Sequence, residues 1–192
     1  MRGALDVHRE LLARDVPHEI VRLRGTAAAD ADDLPRALGL DHASCVAVRV
    51  YVTDAGTAAV LVQAGGVPQP AALLDALAAR TLRPATADEV NAATDYAAGL
   101  VSPVCLPGDV LLVADEALRS REVLYCPLGE GGVALGIRST DLLAATGARV
   151  AALSALPLPP REREPWAAGP RVLDLDSRTG QAPRQHPDRY AG

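Results

Sequence analysis

Residues 45–63 read CVAVRVYVTDAGTAAVLVQ. Valine stands at 46, 48, 50 and 52, the two-residue period of a strand whose side chains turn to alternate faces. Asp54-Ala55-Gly56 is a turn triplet, and Ala58 to Gln63 is a second apolar run that returns along the first. A β-hairpin is the natural reading. Gly65-Gly66 breaks it. On either side the period changes. Leu5, Val7, His8, Leu11 and Leu12 give a helix over Leu5 to Arg14, ended by Pro17, and His18 to Leu23 alternates like a strand. A short helix over Asp33–Leu38 has Gly39 as its C-cap. Pro70 to Arg80 places Leu73, Leu74 and Leu77 on one helical face. Thr86-Ala-Asp-Glu89 has the spacing of a capping box and opens a helix to about Thr94. Further strands are expected at Val110–Ala114, Glu122–Cys126, Val133–Ile137 and Val150–Leu153. A last helix runs from Ser139 to Thr146, with Ser139 or Thr140 as cap. Strands and helices in this mixture predict an α+β domain, a mixed β-sheet of six or seven strands with flanking helices.

The chain has 192 residues, 49% hydrophobic and only 3% aromatic, so Leu, Val and Ala must build the core. All nineteen basic residues are arginine. The absence of lysine excludes a Schiff base, a P-loop lysine and a lysine general base. The net charge of -5 excludes the broad basic field of a non-specific nucleic-acid binder. Cys45, Cys105 and Cys126 form no CxxC pair and lie in apolar contexts, so they read as small buried hydrophobes. There is no apolar run of membrane-spanning length and no signal-peptide pattern near the start, which predicts a cytoplasmic protein with no membrane partner. The pattern changes near residue 154. Residues 157–192 hold 7 of the 15 prolines and 6 of the 19 arginines. Residues 1–153 are therefore read as the domain, and 154–192 as a Pro/Arg-rich extension that lies on it or is disordered.

Outward from the hairpin, several landmarks keep a fixed order. They are Leu38-Gly39, the Val-rich strand and its return, Ala87-Asp-Glu-Val90, Thr94-x-Tyr96, Gly99-Leu-Val-Ser-Pro103, Val113-Ala-Asp-Glu116, a Gly-bearing hairpin and Asp141-Leu142. In this order and spacing they resemble the YbaK/ProX family of aminoacyl-tRNA editing domains, free-standing relatives of the editing insertion in bacterial prolyl-tRNA synthetase, over roughly residues 5–153. The resemblance implies that family's fold and hydrolysis of the ester of a mischarged tRNA. It implies the tRNA acceptor end as partner, with an aminoacyl-tRNA synthetase as a further one, and no metal or organic cofactor.

In the family, the loop matched by Gly99 to Pro103 faces the ester, and its backbone amides hold the carbonyl. Gly99 admits a ligand close to the backbone, and Pro103 fixes the loop's exit. Ser102 is placed to orient the attacking water or a substrate hydroxyl. Backbone donors aimed at a developing oxyanion need no titratable side chain. The small Ala47 and Ser102 favour a small amino acid such as Ala, Ser, Cys or Pro.

The chain also departs from the pattern. The family places a lysine early in the Val-rich strand, which falls here at Ala47 or Val48. If the position is Ala47, Arg49 shares its face; if Val48, Arg49 lies opposite. Arg49 binds an anion but does not transfer protons. Where relatives often carry a Ser-Ala-Gly-like stretch, this chain has Cys126-Pro127-Leu128-Gly129, with Cys126 in the place of a hydroxyl. Asp95 replaces a glycine before the tyrosine, and Cys105 falls where Pro-x-Gly is common. His18 and Glu19 border the pocket by analogy, against a surface role for both. Asp115-Glu116 reads as a cap or turn, Asp141 as support for the last helix, and Asp30, Asp32 and Asp33 as a solvated acidic loop. Two function classes stay open: a trans-editing deacylase, and a binding module that kept the fold and lost hydrolysis with the lysine.

Overall fold

A computed structural model describes residues 1–23, 28–154 and the backbone of 171–174. The hairpin forms as read. β2 (Val46–Thr53) pairs antiparallel with β3 (Gly56–Gln63), Val46 opposite Gln63 and Thr53 opposite Gly56. β4 (Leu82–Pro84) joins β2 antiparallel. β5 (Leu111–Asp115) lies parallel to β3, and β8 (Arg149–Ala151) parallel to β5. These strands make a five-stranded mixed sheet in the order β4-β2-β3-β5-β8.

A second sheet of four strands has the order β6-β7-β1-β9. Here β1 (His18–Arg22) is antiparallel to β7 (Val133–Arg138), which is antiparallel to β6 (Val123–Pro127). β9 (Arg171–Asp174) lies parallel to β1 on its other side. The expected six or seven strands in one sheet are thus nine among the described residues, divided between two. The rest of the extension after Ser154 lies outside the described residues, and with it Trp166.

The alternation along β2 decides what each face buries. Val46 and Val50, with Val48 partly buried beside them, face one core cluster with Ile20, Tyr96, Leu124, Leu135 and Ile137. Ala47 and Tyr51 face a second cluster with Val60, Val62, Leu73 and Leu77. β2 is therefore covered on both sides, which suits a near-continuous valine run.

The helices are α1 (Ala4–Ala13), α2 (Leu34–Leu38), α3 (Pro70–Leu77), α4 (Ala87–Thr94) and α5 (Ser139–Thr146). The capping box is present: Thr86 Oγ1 accepts from Glu89 N, and Glu89 Oε2 accepts from Thr86 N. Arg83 also binds Glu89, and that hydrogen bond leads in drawing its carboxyl down to about 2. α3 stops three residues short of Arg80 because Ala78 turns left-handed at φ +52°. α5 departs from expectation at its start. Arg138 is its N-cap and makes no side-chain cap bond, while Ser139 lies buried as the first helical residue with its N–H on Glu122 O. No helix among the described residues is long and apolar enough to cross a membrane.

Candidate functional site

Three chain segments converge beside the C-terminal end of β1: the loop after α4, the loop after β1, and the turn between β6 and β7. α4 ends at Asp95, which takes the left-handed φ of +61° and redirects the chain. Tyr96 then turns fully inward, and its hydroxyl donates to Val104 O at 2.8 Å. Burial dominates at this phenol and pushes its ionisation up. The ring thereby closes a loop over residues 96–104 and sets its width. A family landmark in the sequence, Tyr96 is here the structural pin of the loop. That role lay beyond periodicity, because it depends on a contact made eight residues away.

Inside this loop Ser102 and Pro103 are buried, and Ser102 Oγ accepts from Val104 N at 3.3 Å. The hydroxyl is thus part of the loop's own bracing. Gly99 is exposed, with φ +86°. A Cβ there would stand 3.1 Å from the Cβ of Asp30, so the close approach that requires glycine is made by the neighbouring loop. Gly99 O accepts from Ala31 N, and Leu100 O from Gly129 N. The N–H groups of Gly99, Val101 and Ser102 meet no acceptor among the described residues. Gly129 lies in the β6–β7 turn at φ +81°, with the Tyr96 ring and Arg2 O directly against it.

The segment 28–33 carries the second half of the site. Asp30 caps a short 3₁₀ turn by accepting from Asp32 N and Asp33 N. Sequence alone puts Asp32 in a solvated acidic loop. Instead its carboxylate accepts from Arg49 Nη2 with both oxygens at 2.7 Å, and from Gly65 N at 2.7 Å. Burial opposes the ionisation of Asp32, yet the Arg49 hydrogen bond and the Gly65 N–H outweigh it, so its pKa stays below the usual value. Only alternation could place Arg49 in the sequence, and it left two options. Arg49 shares the face of Ala47, while Val48 turns to the opposite core. Ala47 itself is fully buried.

The remaining candidates lie apart from this pair. His18 is fully buried, which corrects the surface reading. Its Nε2 lies 2.8 Å from His8 Nδ1 on α1, and its Nδ1 donates to Val16 O. The carbonyl can only accept, so neutral His18 carries its proton on Nδ1 and accepts from His8. Glu19 is also buried and accepts from the Tyr125 hydroxyl at 3.0 Å, above Gly136 in the next strand. Cys126 sits in the core between the strands, and burial pushes its thiol far up. Asp115 caps the turn that follows it by accepting from Ala117 N.

A groove of about 750 Å³ lies on the α1 side of the loop, between Arg2, Arg9, Asp6, Glu10 and Asp95. Its charges alternate in sign, so it offers no local field for one kind of ion. No group of three or more His, Cys, Asp or Glu among the described residues could hold a metal ion.

A family model described as an aminoacyl-tRNA editing domain matches residues 26–145. That span contains the Val-rich hairpin, the 96–104 loop, Asp32 and the β6–β7 turn. The search of curated proteins returns no match. Among solved structures, the hypothetical protein APE2540 is 27% identical with a TM-score of 0.71, covering 77% of this chain and 98% of that one. A candidate trans-editing enzyme for prolyl tRNA synthetase is 26% identical with a TM-score of 0.70, covering 80% and 97%. A candidate signal transduction protein from Marinobacter aquaeolei VT8, 17% identical with a TM-score of 0.57, covers 78% of this chain and 30% of that one. This last likeness concerns the fold alone.

Proposed function

The chain belongs to the aminoacyl-tRNA editing domain family, and from that premise we propose that it is a trans-acting deacylase, which hydrolyses the ester of a mischarged tRNA. One observation supports this above the others. The family's ester-facing loop presents backbone N–H groups at Gly99, Val101 and Ser102 that have no acceptor among the described residues. Val101 and Ser102 are buried, where backbone donors are almost always paired, and Gly99 is exposed, so Gly99 is the point at which a carbonyl oxygen reaches this braced loop.

Water attacks the ester carbonyl carbon, and charge moves onto the carbonyl oxygen, where the loop's N–H groups stabilise it. The bond to the ribose oxygen then breaks. That oxygen takes a proton, and a free amino acid and deacylated tRNA leave. Tyr96 and Ser102 hold the loop's shape and need transfer no proton. Gly99, Ser102 and Pro103 make up the catalytic loop. Arg49 and Gly129, both partly exposed, border the bound acyl-nucleotide, while Ala47 lies in the core behind them. The partner is the tRNA acceptor end, delivered with or without a synthetase, which puts the activity in the cytoplasm.

A second reading has its own support. Ala47 and Val48, where the family lysine is expected, are an apolar pair turned into the two core clusters. A binding module for aminoacyl-tRNA ends would need only the donors and Arg49. Purified protein assayed against a panel of mischarged tRNAs separates the two. Turnover on one or more tRNAs, lost in Gly99→Ala, is the deacylase result. Binding without turnover on any tRNA overturns it in favour of the module.

A further inference from the structure

We propose that Asp32 is a positioning residue, which aims Arg49 at a phosphate of the bound tRNA end. The proposal rests on the editing reading above and adds a phosphate subsite to it. Both oxygens of Asp32 are committed inside the protein, to Arg49 Nη2 and to Gly65 N. The carboxylate therefore has little left to offer a cationic ligand. Arg49 is held at one corner only: its Nε and Nη1 meet no acceptor among the described residues, and its side chain is 31% exposed. With Nη2 fixed, the guanidinium keeps Nη1 and Nε open, each a single donor held in a set direction for a phosphate oxygen.

The same segment ties this guanidinium to the loop. Ala31 N holds Gly99 O, and the next residue, Asp32, holds Arg49. One peptide unit thus sets the spacing between the carbonyl-binding donors and the guanidinium. An aminoacyl-tRNA end carries both an ester and a phosphodiester, the two groups that the loop donors and the guanidinium would take. Arg49 also lies on the Ala47 face, where a methyl group leaves the guanidinium without a competing base.

Charge counting and positioning give opposite signs, which makes the test sharp. If Asp32 merely cancels Arg49, then Asp32→Asn removes a negative charge and tightens RNA binding. If Asp32 aims Arg49, the same change weakens it. We expect Arg49→Gln to weaken binding of deacylated tRNA roughly tenfold, as for a charged hydrogen bond. It should also lower the slope of log K against log salt by about 0.7–0.9, the signature of one lost phosphate contact. Asp32→Asn should weaken binding several-fold and leave that slope intact, because the arginine stays charged. In the Arg49→Gln background Asp32→Asn should have no further effect on binding.

Fluorescence anisotropy with labelled deacylated tRNA, on variants shown by circular dichroism to be folded, reads all three. Tighter binding by Asp32→Asn overturns the proposal. So does an unchanged slope in Arg49→Gln, or an undiminished Asp32→Asn effect in its background, which would assign Asp32 to the Gly65 turn alone. The binding arms need no turnover. Arg49-dependent tRNA binding without ester hydrolysis would uphold this proposal and overturn the deacylase reading. Hydrolysis and binding untouched by either variant would do the reverse.

Discussion

Replacing Gly99 by alanine tests the site with two contributions that the structure separates. The first is conformational. Gly99 sits at φ +86°, and an L side chain in the left-handed region costs about 1–2 kcal/mol. The second is contact. The new methyl would meet Asp30 Cβ at 3.1 Å and Asp30 Cα at 3.7 Å, so the 29–31 segment must give by a few tenths of an ångström. Gly147 supplies the reference. It caps α5 at φ +63°, and a methyl added there would meet nothing within 4 Å. Gly147→Ala should therefore lose only the conformational part, about 1 kcal/mol.

Gly99→Ala should lose about 2 kcal/mol or more, the excess arising from the Asp30 contact. Urea titrations followed by far-UV circular dichroism measure both. Because Ala31 N binds Gly99 O, the displacement also turns the neighbouring donors. Deacylation should then fall by at least about tenfold, on the scale of one misaimed oxyanion donor. If Gly99→Ala is no less stable than Gly147→Ala, the Asp30 contact does not constrain the loop. If it is less stable and hydrolyses as fast as the unchanged protein, the loop is not where the ester is held.

Gly129→Ala should destabilise more than Gly99→Ala, by about 2–4 kcal/mol, because a Cβ would lie 2.7 Å from Arg2 O and 2.9 Å from the Tyr96 ring; the urea midpoint measures it. Stability should fall as pH drops below about 6.5. Burial, ahead of the opposing Val16 carbonyl, lowers the His18 pKa, so the unfolded chain takes up the proton first, with a slope of at most about 1.4 kcal/mol per pH unit. In His18→Gln this part of the pH dependence should vanish from urea midpoints measured between pH 8 and pH 5. Of the thiols, Cys105 should react first with a disulfide reagent at pH 8. Cys45 is buried with its thiol pushed up to about 12, and Cys126 is higher still. Rapid native labelling of Cys45 would contradict the burial.

The sequence was most legible where the determining contacts are local. The 45–63 hairpin follows from a two-residue period and a tight turn, and the Thr86–Glu89 cap from residues three apart. The division into two sheets was hidden, because β1 pairs with a strand more than a hundred residues later, and no period in His18–Leu23 selects that partner. The site divides in the same way. Gly99 and Pro103 were visible as a family landmark. Asp32 was not, since its role depends on Arg49 and Gly65, which reach it only after β2 and β3 fold against the loop. His18 looked like a surface residue because polar side chains usually are, and it is buried only because His8 and Val16 O satisfy its ring. Ser139 looked like a cap from its type, but Arg138 takes that place one residue earlier.

The position of β1 between β7 and β9 also bears on how the protein is made. As the ribosome delivers the chain, β2 and β3 emerge together and can pair at once, for the cost of one short turn. β1 emerges before them and waits. Its Glu19 meets Gly136 and Arg171 across the two flanking ladders, so more than a hundred further residues are synthesised before either neighbour arrives. Pairings this distant in sequence slow folding. The segment that leaves β1 for the Gly99 loop is fixed at one end by that late sheet. The site is thus assembled from the early hairpin and the later sheet, and a nascent chain acquires it only after β7 has been made.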